Sequence, residues 1–212
     1  MNKSDTPKWK FVGGRLCLDF VNTVDARTEQ KVKNSTVFTF QADKLNSYAE
    51  LAEWAKEAGV LEKRNTERLI HIAYQKERES KQVFKRSINL RESLFRVFKY
   101  IIEGWEPPRA DIELVNQEST VARTRQELVY RSNKFEWNFK IKDDELDCMI
   151  WPIVLSSAEL LSSEELSLVR QCPGPNCGWL FLDSSKNRSR QWCDMKDCGN
   201  LAKVRRYREK QK

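Results

Sequence analysis

Histidine is almost absent: His71 is the only one in 212 residues. That excludes a zinc-protease helix with two histidines, a finger with two histidine ligands and any multi-histidine iron or copper centre. His71 lies in the apolar run Leu69-Ile70-His71-Ile72-Ala73-Tyr74, where a lone histidine is read as structural and is given no role. Glycine and proline are also scarce, at 7 and 6, which excludes a linker-dominated or disordered chain. Seven Trp, ten Phe and five Tyr supply the bulk for a core. No apolar run approaches the roughly 20 residues of a membrane span. The start, Met1 to Lys8, is polar and lacks the apolar stretch of a signal peptide. A cytoplasmic protein without membrane contact is therefore expected, and the sequons at Asn2, Asn34 and Asn187 are read as unglycosylated. There is no glycine-rich phosphate loop and no nucleophile beside a recognisable base, so no catalytic residue is assigned.

Positive charge, by contrast, is concentrated. Lys and Arg exceed Asp and Glu by 7 overall, and residues 172–212 hold ten basic against four acidic side chains. Nearly all of the excess thus falls in the last fifth of the chain. A polyanion-binding module attached to a neutral body has this asymmetry, and so does a solvated C-terminal tail.

The hydrophobic pattern predicts an α+β body. The stretches Trp9–Val12, Leu16–Val24 and Val37–Phe40 read as short strands, or as one strand and a short helix. From Asp43, a plausible N-cap, Leu45, Tyr48, Leu51 and Ala55 recur at helical spacing until Gly59. A second helix from about Thr66 runs into or up to a long one over 80–103, stopped by Gly104 and Pro107-Pro108, and a short one follows around Ala110–Gln117. Phe135, Trp137, Phe139 and Ile141 then alternate with polar residues as a strand, paired with Arg125–Tyr130 through Ser132-Asn133. Asp143-Asp144 is read as the cap of an apolar helix to about Leu161, kinked by Pro152, and Ser162–Glu165 opens one more short helix.

Four of the six cysteines form Cys172-Pro-Gly-Pro-Asn-Cys177, fifteen residues, then Cys193-Asp-Met-Lys-Asp-Cys198. In a reducing compartment this paired spacing points to a metal rather than to disulfides, and four thiolates satisfy tetrahedral Zn²⁺ completely. One structural zinc is expected on Cys172, Cys177, Cys193 and Cys198, because a closed shell leaves no position for water or substrate. Cys17 and Cys148, in apolar stretches, are read as core thiols. Between the pairs, Trp179–Leu182 reads as one strand of a zinc-held hairpin that returns through Gln191-Trp192. After Cys198, Gly199–Arg208 reads as a helix with Leu201, Val204 and Tyr207 or Arg208 inward. Its basic residues Lys203, Arg205, Arg206, Arg208 and Lys210, with Arg188 and Arg190 on the preceding turn, are the candidate nucleic-acid contacts, since like charges at this spacing repel unless phosphates neutralise them.

The finger segment, with Cys-Gly-Trp-Leu-Phe-Leu-Asp at 177–183, Trp192-Cys193, Cys198-Gly199-Asn200 and the Arg-Arg-Tyr-Arg run, resembles the CGNR zinc finger. The stretch Gly13-Gly14-Arg15-Leu16-Cys17-Leu18-Asp19-Phe20-Val21-Asn22-Thr23-Val24 resembles the opening of the ABATE domain that accompanies it in bacterial proteins. One departure is that Leu201 stands where the family motif has arginine. The resemblance implies a stress-linked transcription regulator. The expected organisation is an ABATE-like domain over residues 1–168, with short strands, several helices and one hairpin, and a small treble-clef-like finger over 169–212. Asp19, Asn22, Asp25 and Arg27 form a polar cluster that is either the floor of a small-molecule pocket, with Asp19, Asn22 and Arg27 as its ligand contacts, or a set of caps and turn formers. The first functional expectation is a DNA-binding regulator whose body senses a ligand or pairs two copies as a homodimer. A zinc-dependent protein adaptor is the second, and an enzyme in the body the third.

Overall fold

The computed structural model describes residues 8–32 and 35–211; the sequons at Asn2 and Asn34 and the polar start through Pro7 lie outside them. The chain runs α1 (Leu16–Val21), β1 (Val24–Asp25), β2 (Thr28–Val32), β3 (Ser35–Thr39), β4 (Ala42–Asp43), α2 (Tyr48–Glu57), α3 (Lys63–Gln75), α4 (Glu77–Ile102), α5 (Arg109–Thr124), β5 (Gln126–Arg131), β6 (Lys134–Phe139), α6 (Ile150–Leu161), β7 (Val169–Gln171), β8 (Leu180–Leu182) and α7 (Asn200–Glu209). The strands form four separate antiparallel ribbons: β1 with β4, β2 with β3, β5 with β6 and β7 with β8.

The core is helical and is organised around α4. Leu90, Leu94, Phe95, Val97 and Phe98 on α4 are buried, and α1, α2, α3, α5 and β7 pack against it. Buried Trp151, Ile153 and Val154 bring α6 against α1 and α5. Val169, Leu180 and Leu182 belong to this same apolar cluster, so the β7–β8 ribbon that leads into the cysteines is set into the body.

Several expectations are corrected by tertiary contacts. Asp43 is not a helix cap. Ser47 caps α2 by accepting from Glu50 N at 3.2 Å, while Asp43 accepts from the fully buried Arg91 at 2.8 and 2.6 Å. A buried guanidinium needs such partners, and Glu92 and Thr23 complete its set. The helix from Arg109 continues to Thr124 because the polar run Asn116–Thr120 conceals a buried side at Val115, Glu118, Ser119 and Ala122. Pro152 lies in the first turn of α6, where its missing N–H has no helical acceptor to lose, so it produces no break. Asp143 and Asp144 pair with Arg68 and Lys76 instead of capping α6. Trp9–Val12 forms no strand, and His71 faces outward from α3 beside Gln75. The hairpin is where the period-two pattern places it, with Ser132 and Asn133 both at positive φ (48° and 63°) as a two-residue turn requires. Its apolar face, however, is exposed: Phe135 and Trp137 are 69% and 68% accessible.

Candidate metal centre and the helix beyond it

The metal centre is assembled by two short loops. The first follows β7, where Cys172 N donates to Trp179 O at 2.8 Å and Cys177 N to Gly174 O at 3.1 Å, so the chain folds back between the two sulfurs. Gly174 is required by close approach: a Cβ there would lie 2.9 Å from Cys198 Sγ. In the second loop, Asp194 accepts from Lys196 N and starts the single π turn Met195–Gly199, which carries Cys198 toward the other sulfurs. A Cβ on Gly199 would strike Met195 Sδ at 2.8 Å, and Asn200 Nδ2 donates to Lys196 O at 2.9 Å. The Asn200 contact closes the turn after the fourth cysteine, and the methionine end that Gly199 meets is flexible and half-exposed.

The four sulfurs fit one zinc ion. All lie within 4.8 Å of one another, with Cys177–Cys193 at 3.5 Å and Cys193–Cys198 at 3.7 Å. A tetrahedron with Zn–S bonds of about 2.3 Å has edges of about 3.8 Å. No disulfide joins them, and among the described residues no other group of His, Cys, Asp or Glu converges in this way. Cys17 and Cys148 differ: burial raises each to about 12, which keeps them protonated core thiols.

The expected hairpin partner is corrected. Strand β8 pairs with β7, upstream of the first cysteine, with Arg170 opposite Phe181. The segment 183–192 is instead a loop closed by Asp183, which accepts from Ser185 N, Ser185 Oγ and Arg190 N. Arg190 turns inward: its guanidinium donates to the carbonyls of Trp192, Leu182, Val12 and Cys193 and lies 4.5 Å from the Phe181 ring. It staples the finger, whereas Arg188 stays exposed on the same loop.

Helix α7 continues from the turn Met195–Gly199 that carries Cys198. It buries no residue, so the expected inward side is corrected: Leu201, Val204 and Tyr207 are exposed with Lys203, Arg205, Arg206, Arg208 and Lys210. Arg205 pairs with Glu209, and the other four cations make no ion pair within the described residues. Leu201 is thus a solvent-facing residue at the start of the helix.

The polar cluster near the N-terminus sits against the finger. Asn22 is 3% exposed and clamps β8 through both amide atoms, Nδ2 to Leu180 O and Oδ1 to Leu180 N, each at 2.8 Å. Trp179 Nε1 donates to Val24 O at 2.6 Å, Arg27 N to Cys177 O at 3.2 Å and Leu182 N to Gly13 O at 2.8 Å. Asp19 accepts from Gly13 N at 2.7 Å; burial raises its carboxyl to about 6 against those backbone donors. Arg27 pairs with Glu92 at 2.7 and 3.1 Å over the Phe95 ring. With Phe95, Lys99 and Gln171 it lines a cavity of about 230 Å³ that opens onto the loop of Cys172 and Cys177. Sequence reasoning did not single out Lys99 or Gln171, whose side chains meet at 2.9 Å across 72 positions of chain.

No helix of the described residues is long and apolar enough to cross a membrane. Comparison with known families gives two matches. The model of the CGNR zinc finger matches residues 169–211. The model of ABATE, described as "Putative stress-induced transcription regulator", matches residues 14–164. No curated protein matches the chain.

Proposed function

The chain belongs to the ABATE family and carries a CGNR zinc finger, and from that premise we propose that it regulates transcription by binding DNA through α7. The observation that carries this reading is a helix held at one end by the metal centre, buried nowhere and fully basic in its accessible charge apart from Glu209. Ten residues span about 15 Å, a length that a major groove admits. Arg188, Lys203, Arg206, Arg208 and Lys210 are free to meet phosphates, and Arg205 exchanges Glu209 for one. Arg190 acts on the finger rather than on the ligand. Zinc, when bound, supplies structure only: four thiolates close its shell, so the reading includes no catalysis. A reducing cytoplasm keeps those thiols available.

Sensing enters through the cavity between body and finger. A small molecule there would touch Arg27 and Lys99 of the body and the Cys172–Cys177 loop at once, which couples occupancy to the pose of the metal centre. One observation favours the adaptor reading instead, the exposed row Leu201, Val204 and Tyr207 on α7, which suits an apolar partner. Salt separates the two. Binding of the full chain to random duplex DNA should fall log-linearly with salt, by about 0.9 in slope per phosphate contact, and each of Arg188→Ala, Lys203→Ala and Arg206→Ala should remove about one unit. An affinity that ignores salt, or no binding at low salt with zinc in place, overturns the DNA reading.

A further inference from the structure

The β5–β6 hairpin carries an apolar face that is mostly exposed: Phe139 at its base packs on Trp151 and Trp137 borders Leu155 and Glu159 of α6, while the rest stands in solvent. Its register sets Leu128 across from Trp137 and Tyr130 across from Phe135, so these four stand on one face, between 53% and 69% exposed. A two-stranded ribbon is marginal in water, and adding strands to its edge stabilises it. Both of its edges are unpaired within the described residues.

We propose that the outer edge of β5 pairs antiparallel with β5 of a second copy, about a two-fold axis through Val129, to make one four-stranded sheet. The ladder continues from Lys140 N to Arg125 O at 2.7 Å, so by alternation the odd-numbered residues of β5 bond to β6. The N–H and C=O groups of Leu128 and Tyr130 therefore face the free edge. With the axis at Val129, Leu128 and the partner's Tyr130 exchange those bonds, and the two apolar faces become continuous. In the same register Glu127 stands directly opposite the partner's Arg131, and symmetry repeats the pair. Both side chains are exposed, and neither makes an ion pair within the described residues. Moving the axis to Leu128 or Tyr130 sets Val129 against a charge and loses both pairs. The β6 edge offers a matched register only around Phe135, where Lys134 and Glu136 limit the overlap to three residues. The pairing buries the β5 edge itself and sets Leu128 beside the partner's Tyr130, while the face that carries the four large side chains stays on one side of the sheet. The dimer does not depend on what α7 binds.

Charge exchange tests it. Sedimentation velocity of the zinc-loaded full chain should show a dimer in the micromolar range. Glu127→Arg and Arg131→Glu should each weaken it by at least about tenfold, because two attractive pairs become repulsive. The double variant should return it to near wild-type affinity. The two residues lie about 13 Å apart along one strand, so that rescue cannot arise within one chain. Leu128→Lys, beside the partner's Tyr130 at the seam, should weaken the dimer too, with unchanged circular dichroism and zinc content. A wild-type monomer, a double variant no better than the singles, or a dimer indifferent to both overturns the proposal.

Discussion

Replacing Asn22 with alanine removes the only side chain that serves both backbone groups of Leu180. Leu180 is fully buried, so its N–H and C=O then have neither protein nor water. Each orphaned group costs about 1–3 kcal/mol, and the pair together about 2–6 kcal/mol. Set against a total stability of about 5–15 kcal/mol, this is a large loss. For a chain of this length it corresponds to a fall in Tm of roughly 5–15 °C. Asn22→Asp tests the same geometry from the other side: a carboxylate can accept from Leu180 N but presents an oxygen to Leu180 O, so it should be destabilised as well. Urea denaturation with zinc in the buffer measures both, and hydrogen exchange at the Leu180 amide shows whether the loss is local. An Asn22→Ala protein within about 0.5 kcal/mol of wild type, the ordinary range for an uninvolved surface site, refutes the reasoning.

Three further outcomes follow from the same contacts. Cys193→Ser should abolish zinc binding in metal analysis and release the knuckle and α7 to proteolysis, while the helical body keeps its circular dichroism, since structural zinc contributes on the order of 10 kcal/mol to a small finger alone. Arg190→Ala should lower the unfolding midpoint of the finger far more than it alters a DNA salt slope; the reverse result would place its guanidinium on the ligand side. Asp19 holds its proton in the folded state up to about pH 6, above the ordinary carboxylate value of 3.8. The folded form therefore binds more protons between those limits, and this group's contribution falls as pH rises through them. Asp19→Asn should lose that slope, so the stability advantage of wild type over the variant should be larger at the acid end of this window than at neutral pH, and parallel urea midpoints across it would contradict the assignment.

The cysteine spacing made the metal site legible, because ligand chemistry is written in residue type and short separation. The helical periods of α2 and α4 and the Ser132-Asn133 turn were legible for a similar local reason. What stayed hidden is long-range. Nothing near Asp43 announces Arg91, 48 positions away, and the Phe135–Phe139 alternation cannot say whether its apolar face meets the body or water. Arg190 reads as one more cation in a basic segment until the carbonyls of Val12 and Cys193 are brought around it. The inward side assigned to Leu201, Val204 and Tyr207 failed because amphipathic spacing does not guarantee that a partner surface exists in the same chain.

The central claim, that the metal centre presents α7 to DNA, is tested most directly by one zinc cycle. Fluorescence anisotropy of a labelled random duplex is measured at low salt with the full chain as purified, after chelation, and after zinc is restored. The account predicts binding, its loss when the finger opens, and its return with the metal. Binding that persists undiminished in the zinc-free chain, or that is absent while zinc is bound, contradicts it.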